Sequence, residues 1–199
     1  MSSSTDTDRA PIRIVLGDAN VLYSRVLRDY LLYAANAELI SIRWSAEILA
    51  EVIEHLTANL PTFDAAAGQR LVAAMTAAFP YAEVDIDDAA RELVAQLALP
   101  DEDDRHVLAA ALAADAEILC TDNIKDFPTE AMKAVDIQVL TADDLLSLLI
   151  TEYGDEMLDV HQTVVSRLPG ATDQSTLATL QRAGAIRAAN LINGLLLDD

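Results

Sequence analysis

Cysteine is nearly absent. The single residue, Cys120, rules out an intramolecular disulfide and any zinc site built on several thiolates. Its neighbours Ile118 and Leu119 place it in a buried strand. Histidine is scarce too, and His55, His106 and His161 are too scattered along the chain to suggest a metal cluster. No apolar run approaches the roughly 20 residues that span a bilayer. The polar start, Met1-Ser2-Ser3-Ser4-Thr5-Asp6, lacks an apolar leader segment, so a soluble, cytoplasmic protein with no membrane contact is expected. Positive charge is the most telling shortage: 13 Lys and Arg stand against 33 Asp and Glu, a formal net charge of -20. Proteins that hold nucleic acid by charge alone show a basic face, because neutralising phosphates supplies most of their affinity. The acid is concentrated in residues 46–150, which carry 21 acidic side chains against 5 basic ones. Such a surplus suits a cation site, a basic partner or a solvated surface.

What is present is an aliphatic, Ala-rich chain of 199 residues, enough for one domain with a sizeable core. Ile12-Arg13-Ile14-Val15-Leu16 reads as a buried strand that stops at Gly17 and is followed at once by Asp18 and Asn20. A helix capped by Ser24 follows, then an extended stretch at 39–42, a helix capped by Ser45 after Trp44, and a third helix from Asp64 to about Phe79. Strands are expected at 82–86, 117–121 and 137–140. Helices are expected at 87–98, after the acidic turn 101–104, and after Thr141. This alternation predicts an α/β fold with a central parallel sheet flanked by helices. Residues 1–11 read as a disordered tail, 12–150 as the sheet domain, and 151–199 as a helical extension ending in one long stretch from Asp173 to about Leu197.

Two of the strands end in acids, Asp18 and Asp122. Two helices carry acids near their starts, Glu51 and the group Asp101 to Asp104. In a parallel sheet the ends of strands and the beginnings of the following helices share one edge, so these segments can converge. Carboxylates forced together raise one another's pKa unless a cation holds them, and Mg²⁺ or Mn²⁺ suits oxygen ligands. At a phosphodiester, such ions activate water and stabilise the leaving oxygen. Blander readings exist for each residue. Asp18 and Asn20 can simply close a turn, Glu51 can belong to a solvated row with Glu47 and Glu54, and Asp101 to Asp104 can serve the helix dipole.

Taken together, Asp18-Ala-Asn20-Val-Leu, Trp44-Ser-Ala-Glu-Ile-Leu-Ala-Glu51-Val, Pro100-Asp-Glu-Asp-Asp104-Arg-His-Val-Leu-Ala-Ala and Cys120-Thr-Asp122-Asn-Ile-Lys-Asp126-Phe-Pro resemble the four conserved blocks of the PIN-domain ribonucleases, and in particular the VapC-type toxins of bacterial toxin and antitoxin pairs. The resemblance spans about 12–150, with the blocks in family order. It implies a PIN-like three-layer fold and a Mg²⁺- or Mn²⁺-dependent endoribonuclease acting on structured RNA such as tRNA. It also implies a homodimer and a small VapB-like antitoxin that blocks the acidic pocket. Carried over residue by residue, Asp18, Glu51, Asp104 and Asp122 match the catalytic, metal-binding acids, with Asp126 in reserve for the last. Asn20 matches a residue that braces the first aspartate, and Thr121 a hydroxyl lining the pocket. Of the arginines able to meet phosphate or an antitoxin (Arg13, Arg25, Arg28, Arg43 and Arg105), Arg25 and Arg28 are best placed. His106 is expected on a helix surface, with contact to RNA or the partner as the alternative. Trp44 is expected to wedge its helix onto the core, with base stacking as the alternative. The competing function is a PIN-like binding scaffold without turnover. A phosphatase of the haloacid dehalogenase type needs a second aspartate two residues after the first, where this chain has Asn20.

Overall fold

A computed structural model describes residues 12–198, so the expected tail at 1–11 lies outside the described residues. Five short apolar segments form one sheet: β1 (Arg13–Gly17), β2 (Ile40–Ser45), β3 (Glu83–Val84), β4 (Ile118–Cys120) and β5 (Gln138–Leu140). The order is β3-β2-β1-β4-β5, and every pairing is parallel. The chain fills one side of β1 first, then crosses to the other. The turning point therefore lies between β1 and β4, where the chain leaves the paired strand ends in opposite directions and a crevice opens at their carboxyl ends.

Helices flank the sheet as α1 (Ala19–Leu22), α2 (Arg25–Asn36), α3 (Ala46–Asn59), α4 (Ala65–Ala78), α5 (Asp88–Ala95), α6 (Arg105–Ala113), α7 (Thr129–Ala134) and α8 (Ala142–Glu152). Their starts are fixed by short polar side chains. Ser45, Asp64, Asp87 and Thr141 each accept from a backbone N–H in the first turn, satisfying a donor the helix itself leaves open. Three helix-to-strand turns are closed by residues in the left-handed region, Glu38 (φ 58), Asp115 (φ 50) and Asp136 (φ 54). In each, the next N–H reaches back to the final helical turn: Leu39 to Ala34 O, Ala116 to Ala111 O and Ile137 to Met132 O. This is the Schellman closure, built here without glycine. Where α3 and α4 cross, Gly68 sits against Ile53, and a Cβ there would stand 2.7 Å from Ile53 Cγ2.

The extension comprises α9 (Gly154–Ser166), α10 (Asp173–Arg182) and α11 (Ile186–Asp198). The single long stretch expected from Asp173 is broken, because Gly184 adopts φ 97 and Ala185 N donates back to Leu180 O. Met157, Val164, Leu180, Ala188 and Ile192 are buried in the same apolar cluster as Val15 and Leu16 of β1, so the extension and the sheet share one core. A buried polar chain crosses that contact: the Tyr30 hydroxyl of α2 meets His161 Nδ1 of α9 at 2.5 Å, and His161 Nε2 lies 3.2 Å from Asp173 Oδ1 at the start of α10. Trp44 belongs to β2 rather than to a helix. It is fully buried with its ring edge-on to Phe79, so the wedge reading holds and base stacking is excluded. Cys120 is buried in β4, and burial pushes its thiol well above the usual range.

Candidate active site

The crevice at the turning point is built from the register of β1 against β4. Gly17 pairs with Cys120, so Asp18 and Thr121 emerge side by side where the two strands end. Asp18 is buried, and its carboxylate is held on both oxygens. Oδ1 accepts from Ala19 N at 2.6 Å, and Oδ2 accepts from the Thr121 hydroxyl at 2.6 Å and from Asn20 Nδ2 at 2.7 Å. Asn20 Nδ2 also reaches Thr121 Oγ1 at 2.9 Å, and Asn20 Oδ1 receives the Asp122 N–H at 3.1 Å. Asn20 and Thr121 thus knit the two strand ends into one unit. Burial raises the Asp18 pKa, while the bonds from Thr121, Ala19 and Asn20 oppose the rise.

Around this clasp lies a cavity of about 420 Å³ lined by Asp18, Asn20, Glu51, His55, Asp104, Asp122 and Asn123, together with Ala19. The four acids singled out in the sequence, from four separate segments, therefore face one space. Asp104 stands at the N-terminal end of α6, yet its side chain makes no capping bond. Its Oδ2 is buried without a partner, and its pKa is pushed up to about 6, first by burial and then by the charges of Asp18, Asp126 and Asp101. A helix-dipole role alone does not explain an acid in that position. Glu51 is half-buried on α3, and its pKa is raised by burial and by Asp18. Glu47, one turn away, pairs with Arg91 instead. Asp122 is exposed, and its Oδ1 accepts from Ala142 N at 3.1 Å, tying it to the start of α8. Asp126, on the 3-10 turn Ile124–Asp126, lies outside the cavity lining and bears on Asp104 as a nearby charge.

Among the described residues, no three His, Cys, Asp or Glu side chains stand close enough to form a finished metal shell. The donor set suits a hard cation in kind: an orphaned carboxylate oxygen on Asp104, and carboxylates of Asp18, Glu51 and Asp122 whose mutual repulsion a divalent ion would relieve. Two of them also have a partner of their own, Asp122 the backbone at the start of α8 and Glu51 the His106 ring.

His106 is the site residue that sequence reasoning undervalued. Rather than lying on an open helix surface, its Nδ1 sits 2.7 Å from the Asp103 carbonyl and its Nε2 sits 3.1 Å from Glu51 Oε1. Its position directly after the acidic turn was the available signal. His55 borders the cavity one helical turn beyond Glu51, edge-on to Tyr23. The arginines require a correction. Arg28, expected to meet phosphate or an antitoxin, is 7% exposed and donates to the Leu22 carbonyl at 2.6 Å, because the end of α1 turns its last carbonyls toward it. Arg13 is paired with Glu152 through both terminal nitrogens, Arg43 is bonded to Ser41 Oγ and the Ile42 carbonyl, and Arg105 closes α5 through the Val94 carbonyl while holding Glu102. Arg25 is 68% exposed and meets Asp29 at 3.6 Å.

A family model described as a PIN domain matches residues 13–125, more than half of the chain. The chain belongs to the PIN-domain family. The matched span runs from the first residue of β1 into the 3-10 turn, so it includes Asp18, Glu51, Asp104 and Asp122 of the PIN cavity. Over 43 residues the chain is 51% identical to a protein named "Putative ribonuclease VapC50" from Mycobacterium tuberculosis (strain ATCC 25618 / H37Rv). That stretch is 22% of this chain and 25% of the relative, so the PIN protein described here is matched to about a quarter of that relative's length. No solved structure matches it. No helix among the described residues is long and apolar enough to cross a membrane.

Proposed function

We propose that this PIN domain is a Mg²⁺- or Mn²⁺-dependent endoribonuclease of the VapC toxin type. In this reading it cuts structured RNA such as tRNA, works as a homodimer in the cytoplasm, and is silenced by a VapB-like antitoxin that occupies the acidic cavity. One observation carries the reading: Asp18, Glu51, Asp104 and Asp122 arrive from four distant segments at a single cavity at the turning point of the sheet. The partial likeness to a protein named as a ribonuclease supports it.

Asp18, Asp104, Asp122 and Glu51 are the residues to hold the ion, with Asp126 in reserve. A bound Mg²⁺ or Mn²⁺ supplies Lewis acidity, lowering the pKa of water and offsetting the negative charge that builds on a phosphodiester under attack. The protein's own part is positional. Asn20 and Thr121 fix the Asp18 carboxylate in one orientation, so little reorganisation is left for the reaction step. Asp104, with a pKa near 6, gives up its proton readily near neutrality, which prepares it to receive a cation. Of the five arginines weighed in the sequence, exposed Arg25 is the one left to meet a phosphate or an acidic partner group.

The test is cleavage of total RNA by the purified protein with Mn²⁺, followed by mapping of new ends. The expected result is discrete ends that appear with metal, vanish with chelator, and are absent in Asp18→Asn. Tight RNA binding without cleavage overturns the nuclease reading in favour of a scaffold without turnover.

A further inference from the structure

Glu51 sits on the same row of α3 as Glu47 and Glu54, and its side chain has several freely rotating bonds, so nothing in the helix alone selects the cavity over solvent. Something outside α3 has to make that choice. The group in contact with it is His106, whose Nε2 stands 3.1 Å from Glu51 Oε1. The imidazole is itself anchored, since Nδ1 lies 2.7 Å from the Asp103 carbonyl in the turn that leads into α6. Nε2 is buried from solvent and lacks a well-aligned hydrogen bond, so its contact with Glu51 is loose in geometry although close in distance. His106 follows Asp104 by two residues at the start of α6, so its ring stands between the segment that carries Asp104 and the Glu51 carboxylate.

We propose, resting on the metal-dependent reading above, that His106 is a positioning residue: anchored by Asp103, it holds one oxygen of Glu51 and so turns the carboxylate toward the cation that the cavity takes. Outer partners of this sort act through the ligand they orient, and removing one weakens metal affinity without removing any donor. The two ring nitrogens have separable duties here. Nδ1 fixes the ring to the backbone of the acidic turn, and Nε2 bears on Glu51 by close contact. A structural role for His106 would run through the first contact, and a positioning role runs through the second.

Two substitutions separate them, because an asparagine amide nitrogen falls where Nδ1 lies and a glutamine amide nitrogen falls where Nε2 lies. His106→Asn keeps the Asp103 anchor and loses Glu51, and His106→Gln keeps a donor for Glu51. Calorimetric titration with Mn²⁺ alone, without RNA, is expected to show affinity about 10- to 100-fold weaker in His106→Asn and within about threefold of wild type in His106→Gln. In a Glu51→Gln background, His106→Asn is expected to cause no further loss. Unchanged or tighter Mn²⁺ binding in His106→Asn overturns the inference, as does an equal fall in both variants. A measurement on the unaltered protein covers the case in which a variant fails to fold. Added Mg²⁺ is expected to shift the imidazole nitrogen signal of His106 Nε2 and leave those of His161 in place, and a static His106 signal overturns the inference. Wild-type protein that takes up neither ion overturns the metal-dependent reading itself, whereas metal uptake indifferent to His106 defeats this assignment alone.

Discussion

Replacing Thr121 by valine removes one hydroxyl from the centre of the clasp and nearly conserves volume. The side chain is fully buried, donates to Asp18 Oδ2 at 2.6 Å, and accepts from Asn20 Nδ2 at 2.9 Å and from Asn123 N at 3.1 Å. Loss of a donor to a carboxylate costs about 1.5–3 kcal/mol, and a backbone N–H left without its acceptor adds about 1 kcal/mol. Asn20 keeps its bond to Asp18, so its share is small. The expected loss is about 2.5–4 kcal/mol, which on a urea slope of about 2 kcal/mol per molar lowers the unfolding midpoint by about 1.3–2 M. Thr121→Ser keeps the hydroxyl and gives up one methyl, so its loss is about 1 kcal/mol. Urea unfolding of the three proteins without metal checks both values. If valine and serine lower the midpoint equally, the hydroxyl is not what holds Asp18, and the account of the strand-end clasp is wrong.

Asp104 reverses the usual pH behaviour of a carboxylate, because its folded pKa of about 6 lies above the ordinary 3.8. Between those values the folded protein holds more protons than the unfolded one, so stability from this group falls as pH rises from about 4 to about 6. Thermal melts of metal-free protein across that window are expected to show a component of this sign that Asp104→Asn abolishes, and an unaltered pH slope in the variant refutes the assignment. Tyr30→Phe leaves His161 Nδ1 buried without its donor and is expected to cost about 1–3 kcal/mol by chemical denaturation. His161 itself is held below its ordinary 6.5 by burial, so its neutral form contributes stability that is lost as pH falls beneath that value, a loss that His161→Gln is expected to remove.

Much of this arrangement was legible in the residues, for identifiable reasons. Ser45, Asp64 and Thr141 marked helix starts because the first turn of a helix needs an acceptor, and each supplies one. Asp18 and Asp122 drew notice because an acid where a buried strand ends falls at the open edge of a parallel sheet. The short helices α1 and α7 went unseen, since four and six residues are too few for apolar periodicity to repeat. The division of α10 from α11 was available in Gly184 but was masked by apolar residues on both sides. Arg28 and His106 were misjudged for a common reason. Where a charged side chain ends up depends on carbonyls and carboxylates that only the folded chain brings near it, Leu22 O for the arginine and Glu51 for the histidine.

The inward turn of the arginines shapes how this molecule meets other charged bodies at a distance. With Arg13, Arg28, Arg43 and Arg105 engaged by oxygens of the chain itself, none of the four offers a free basic handle to a visitor, and the far field follows the net charge of -20. A polyanion approaching in dilute buffer therefore climbs a repulsive potential, and added salt, by shortening the screening length to about 8 Å near physiological strength, lowers that hill. Diffusional encounter with polyanions should accordingly quicken as ionic strength rises, whereas a strongly basic visitor is drawn in fastest when salt is low.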